Sequence, residues 1–149
     1  MDKRIAHNFT WGPLLVIGII LNILGVVLCI HKEPWLLNQI PNEALLKTSF
    51  SILFSEKINI GLPHFLTTVY RLFGLWLLTT GSIIICYVYV TRLGTKVARD
   101  SIFLVLSATL VAIYYLTFSY LPSSPLFPIL HFFAICLVSS IFCSKYLPD

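Results

Sequence analysis

Four histidines, six carboxylates and four cysteines are what this 149-residue chain offers for acid–base, nucleophilic or metal chemistry. General acid–base catalysis needs paired titratable groups within hydrogen-bond reach. The acids Asp2, Glu33, Glu43, Glu56, Asp100 and Asp149 all lie outside the long apolar runs, so they pair with nothing there. His7, His31, His64 and His131 have no metal-ligand spacing between them. Cys29, Cys86, Cys136 and Cys143 sit in or beside apolar segments and form no CxxC pair, which reads as small buried hydrophobes. No Ser-His-Asp set and no glycine-rich phosphate loop is present. The expectation is therefore no catalytic residue, no cofactor and no metal. One residue stands out instead. Arg71 lies about two turns inside "HFLTTVYRLFGLWLLTTGSIII", a stretch otherwise fit for lipid.

The elements that must hold Arg71 follow from composition. Hydrophobic residues make up 58% of the chain and charged residues 11%, well under the quarter or so of a soluble domain. There is too little polar surface to coat a water-soluble globule. The net charge of +4 is scattered between apolar runs and forms no basic stripe, which excludes a nucleic-acid partner. A membrane span needs about 20 apolar residues. Four segments meet or approach that length: Trp11–Ile30, Phe65–Val90, Ser101–Tyr120 and Leu126–Cys143. The first reads as a retained span, not a cleaved leader. The expected fold is all-α, a single membrane domain over 1–149, built as an integral membrane four-helix bundle.

The connections differ in kind. "TRLGTKVARD" is short and basic, and Asp100 and Ser101 are read as caps of the third helix. "LPSSP" is a tight hairpin. The first loop, His31–His64, holds "NEALLKTSFSILFSEK" at about 42–57. Leu46, Phe50, Leu53 and Phe54 fall on one face there, so the segment reads as an amphipathic helix starting at Asn42 and Glu43. It either lies on the bilayer or caps the bundle. Lysine and arginine favour the side that holds Lys3, Arg4, Arg92, Lys96, Arg99 and Lys145, which places both termini in the cytosol.

In lipid, small residues and buried polar groups mark helix contacts. The first span carries Gly18, Asn22 and Gly25 on one stripe, and Asn22 at mid-membrane needs a partner. The second carries Thr67, Arg71, Gly74 and Gly81. The third span offers Ser107 and Tyr114, and the fourth offers His131. These faces are expected to turn inward or toward a partner protein. Three readings of Arg71 stand: a snorkelling guanidinium, a contact within the bundle or to a partner, or a site for a lipid headgroup. His131 reads as an interhelical hydrogen bond or an interfacial position, a lipid or partner contact, or a catalytic or metal-binding group.

The segment "YRLFGLWLLTTGSIIICYVY" resembles the second span of the ergosterol biosynthetic protein 28 family, small four-span proteins of the endoplasmic reticulum. The shared pattern is Arg, one residue, Phe-Gly, one residue, Trp, here Arg71, Phe73, Gly74 and Trp76. The order of parts is also similar, with a Gly- and Asn-bearing first span and a short basic connection after the second. The first loop departs from the family by its length and its amphipathic segment. The resemblance implies a non-catalytic scaffold that tethers enzymes of sterol C-4 demethylation to one another and to membrane lipid. Two other classes stand beside it. One is a small lipid- or sterol-binding enzyme such as an isomerase, using His131, Arg71, Tyr114 and Trp76 around one pocket. The other is an accessory subunit of a large membrane complex.

Overall fold

The computed structural model describes residues 2–148, and these form helices and turns without strands. Six α-helices follow in order: α1 Lys3–Ile30, α2 Gln39–Leu46, α3 Phe50–Ser55, α4 Leu62–Thr91, α5 Lys96–Tyr120 and α6 Leu126–Ser144. Helices α1, α4, α5 and α6 are long and apolar enough to cross a membrane. The described residues thus form an all-α integral membrane fold, and four crossings put the start of α1 and the end of α6 on one side. We refer to that side as the terminal end and to the other as the loop end.

Local chemistry sets the helix ends. Asp2 caps α1, its Oδ1 accepting from the Arg4 amide at 3.0 Å. Pro63 occupies the first turn of α4, where a missing N–H costs nothing. The α4–α5 turn is forced by two consecutive left-handed residues, Arg92 at φ 50° and Leu93 at φ 52°. Neither is glycine, so something must hold them there. Leu93 is fully buried in the core, and the Thr91 hydroxyl accepts from its amide at 3.2 Å. The α5 cap is Thr95, accepting from the Ala98 amide at 3.3 Å, not Asp100 or Ser101. The helix starts a turn earlier than its apolar pattern because Lys96 to Arg99 continue it into the polar boundary.

The loop segment is not one amphipathic helix over 42–57. It begins with a 3-10 turn at Pro34–Asn38, and α2 then starts at Gln39, before Asn42. Lys47 ends α2 in the left-handed region at φ 56°, and Ser49 starts α3 by accepting from the Ile52 amide. That hydroxyl cap breaks the helical path between Lys47 and Phe50. The 3-10 turn and α2 cap the bundle, and α3 folds back onto them. Trp35, Pro41 and Phe50 are buried, and Phe54 stacks on Phe50 and meets Trp35 edge-on. The Asn42 amide donates to the Tyr70 hydroxyl of α4 at 2.6 Å, and the Ser124 hydroxyl of the α5–α6 hairpin donates to Asn38 at 3.1 Å.

Glu43 joins α2 to α3. Its Oε1 accepts from the Phe50 amide at 2.8 Å and from Gln39 Nε2 at 2.9 Å. The Phe50 amide first, and Gln39 second, hold this carboxyl below its ordinary range. A lowered carboxylate contributes stability above its unfolded value and loses it as pH falls through the folded one. The α2–α3 junction is therefore expected to open on acidification. The protection of the Phe50 amide, relative to its intrinsic exchange rate at each pH, should fall on acidification, and Glu43→Gln should show weakened protection already at neutral pH with little further loss. Exchange of the Glu43→Gln variant as slow as wild type at neutral pH would contradict this.

The core is shared by all four spans and includes Leu14 and Ile17 of α1, Ile84 and Val88 of α4, Ile102 and Phe103 of α5, and Phe133 and Leu137 of α6. Helix α1 is the central one. It packs most closely on α4, then on α6, and α6 packs on α5. Helices α4 and α5, although consecutive, share little packing beyond their turn, where Tyr87 donates to the Ala98 carbonyl at 3.0 Å. The bundle is thus a row, α4–α1–α6–α5, with a cleft left between its two ends. Within α6, Ser140 is completely buried, and its hydroxyl has no hydrogen-bond partner among the described residues. Ser140→Ala should raise stability by about 1 kcal/mol, because it removes an unsatisfied polar group without opening a void. Thermal unfolding in detergent measures this, and a loss of stability would mean that the hydroxyl is bonded.

Candidate functional site

The α1–α4 contact positions most of the residues singled out from sequence. Gly18 lies against Gly81, and Gly25 against Gly74. A Cβ built on Gly25 would meet the Gly74 carbonyl oxygen at 2.6 Å, and one on Gly81 would meet the Gly18 oxygen at 2.6 Å. Each glycine thus lies against the backbone of the facing helix. The two pairs stand seven residues apart on each helix and run in opposite directions, so the helices are antiparallel with a single register. Seven residues are close to two turns, which returns both glycines to one face. Nothing but hydrogen fits between these backbones.

Asn22 lies between the two glycine pairs. Its Oδ1 accepts from the Ser82 hydroxyl at 3.3 Å, and it lies over Gly81. Ser82 escaped the sequence reading because an isolated serine in a span carries no signal. The amide nitrogen of Asn22 donates to nothing among the described residues.

Arg71 does not share the inward face of Gly74 and Gly81. It is exposed, while both glycines are buried. Three residues turn a helix by about 300°, so Arg71 falls on the flank of the stripe, some 60° away. Its guanidinium makes no hydrogen bond or ion pair among the described residues. Its depth also differs from the sequence reading. The Cys29 thiol donates to the Arg71 carbonyl at 3.6 Å, which sets Arg71 level with the last turn of α1. Past Ile30 that helix gives way to His31, Lys32 and Glu33. Helix α4, at 30 residues, is about 45 Å long against a hydrocarbon layer of about 30 Å. Its first two turns stand beyond α1 and carry the loop cap. Arg71 therefore lies level with the loop end of α1, where the apolar run of that helix stops.

Phe73 and Trp76 point elsewhere, with Trp76 71% exposed. Both line the cleft between α4 and α5, a cavity of about 200 Å³ floored by Ile17 and Leu21 of α1 and by Phe133 and Leu137 of α6. Its only polar side chains besides the Trp76 indole are Thr80 and Thr109. Arg71, Tyr114 and His131 are not among its walls. His131 is exposed on α6. Its Nδ1 bonds the Phe127 carbonyl of its own helix at 2.7 Å, and its ring stands edge-on to Tyr114 of α5, 5.5 Å between centroids. The hydrogen bond expected between helices at His131 is thus made within α6. Ser107 lines a shallow outward groove on α5 with Val111 and Tyr115, not an inward face.

The most buried cation was not singled out from sequence. Arg99, read as one of the basic loop residues, is 4% exposed. Its guanidinium donates to the carbonyls of Leu93 at 3.3 Å, Gly94 at 3.4 Å and Pro148 at 2.8 Å. It thereby clasps the α4–α5 turn to the C-terminal segment. No group of three or more histidine, cysteine or carboxylate side chains converges among the described residues. Comparison with protein families, with curated proteins and with solved structures finds no match to this chain.

Proposed function

We propose that this protein is a non-catalytic membrane scaffold, a small rigid body that holds other membrane proteins beside one another. The observation that carries the reading is the division of labour within Arg71–Trp76. Gly74 locks α4 onto α1, while Arg71, Phe73 and Trp76, the other members of the same motif, are left outward on two different faces. A fixed internal contact with unsatisfied outward groups suits docking. An isomerase built on His131, Arg71, Tyr114 and Trp76 would bring these side chains to one cavity, and of the four only Trp76 reaches the cleft. The likeness of Tyr70–Tyr89 to the sterol scaffold family supplies the finer reading: residence in the endoplasmic reticulum, cytosolic termini, and enzymes of sterol C-4 demethylation as partners.

Affinity purification from native membranes in mild detergent tests this. Sterol-modifying oxidoreductases are expected to co-purify in fixed proportion. Recovery of the protein alone, with lipid but without a stable membrane partner, would overturn the scaffold reading.

A further inference from the structure

The outer flank of the α1–α4 pair, on the side away from the cleft, carries polar groups that the fold leaves unused. At 100° per residue, Arg71, Leu75 and Ser82 of α4 fall within an arc of about 40°, and all three are exposed. The Asn22–Ser82 hydrogen bond joins this arc to the adjoining flank of α1, where Ile19 and Val26 are exposed beside Asn22. The result is one surface with a free guanidinium level with the loop end of α1 and a half-used amide and hydroxyl deeper in. Polar groups facing hydrocarbon are costly, and helix association is one way to satisfy them.

We propose that this flank docks a single transmembrane helix of a partner protein, one that carries a carboxylate near the loop end of its span and a hydrogen-bonding side chain about eleven residues, or roughly 16 Å, deeper. The charge comes from Arg71. No acid lies within α1 or α4, Asp100 is at the terminal end of α5, and Glu33, Glu43 and Glu56 of the loop do not pair with Arg71. The deeper group answers Asn22, whose amide donors are unused. A second copy of this chain fits poorly, because a two-fold axis on this face would bring like charges toward each other. A phospholipid phosphate would satisfy Arg71 but not Asn22 and Ser82, which lie among the acyl chains. One helix satisfies both levels.

This surface deepens the scaffold reading and rests on it. The test places a photoreactive side chain at Leu75, and separately at Leu104 on the exposed face of α5, in the full chain in native membranes. Leu75 should give a discrete adduct, and its peptide should hold Asp or Glu about eleven residues from Asn, Gln, Ser or Thr. Arg71→Gln should reduce that adduct by about threefold or more, the scale of one interhelical hydrogen bond. Arg71→Glu should regain it when the mapped acid is changed to Arg. A phospholipid adduct alone, a polypeptide without the acid, or a yield indifferent to Arg71→Gln would overturn the proposal. Adducts from Leu104 but none from Leu75 would overturn this surface and leave the scaffold reading intact. No protein adduct at either position, with nothing co-purified, would remove the scaffold reading itself.

Discussion

Gly25→Ala is expected to lower the stability of the bundle by about 1–3 kcal/mol, the usual cost of overpacking. The added methyl carbon would lie 2.6 Å from the Gly74 carbonyl oxygen and 2.8 Å from the Leu78 nitrogen. Both are backbone atoms of a helix, so no rotamer change relieves the clash and the two helices must separate. Gly81→Ala meets the same obstacle at the Gly18 oxygen and also displaces Asn22. A larger side chain, as in Gly74→Leu, should cost at least as much. Gly12→Ala supplies the control. Nothing lies within 4 Å of its Cβ position, and alanine favours a helix over glycine by about 1 kcal/mol. Thermal unfolding in one detergent should thus rank Gly12→Ala at or above wild type and Gly25→Ala well below it. Equal stability of the two variants would mean that α1 and α4 do not touch at Gly25.

Arg99→Met should be the most damaging change at the terminal end, by about 2–3 kcal/mol. The guanidinium serves three carbonyls at once, and two of them belong to the turn that holds Leu93 left-handed. Methionine fills a similar volume but donates nothing. The Pro148 carbonyl is released and the turn loses its clasp. Arg99→Lys should recover only part of the loss, since an ammonium cannot reproduce the planar fork. Unfolding by denaturant measures the stability, and limited proteolysis should show earlier cleavage near Tyr146 and Leu147 in both variants. Wild-type behaviour of Arg99→Met on both readouts would show that the clasp contributes nothing.

Apolar run length and the placement of small residues made the four helices and the α1–α4 contact legible in sequence. Gly18 with Gly25 and Gly74 with Gly81 repeat at two helical turns, and such a repeat survives any tertiary detail. Arg71 was harder. Its depth depends on where α1 stops relative to α4, which is a register between two helices and not a property of either. The division of 42–57 into α2 and α3 came from Ser49 acting as a cap in the middle of an apolar pattern. Hydrophobic periodicity continues across such a break and hides it. Arg99 resembled its neighbours Arg92 and Lys96 because a basic residue at a span end has an adequate reason to be there without burial. Only the return of the C-terminal segment makes it a buried clasp. The cleft between α4 and α5 follows from how far the short turn lets the two helices diverge, and no residue type marks that angle.

The antiparallel register of α1 and α4 underlies the depth of Arg71, the outward flank and the scaffold reading alike, and one crosslink tests it directly. The Cys29 sulfur lies 3.0 Å from a Cβ built on Gly74, a separation that suits a disulfide with its S–S bond of about 2.0 Å. In the Gly74→Cys variant the new Cβ meets the Gly25 carbonyl oxygen at 2.8 Å, so the two helices part by a few tenths of an ångström and lose stability while their register is kept. Mild oxidation in native membranes should still join position 74 to Cys29, and mass spectrometry of the digested protein should recover those two peptides linked. Trp76→Cys, which faces the cleft, should not link to Cys29. A Trp76→Cys crosslink to Cys29, together with no crosslink from Gly74→Cys, would contradict the register and everything placed by it.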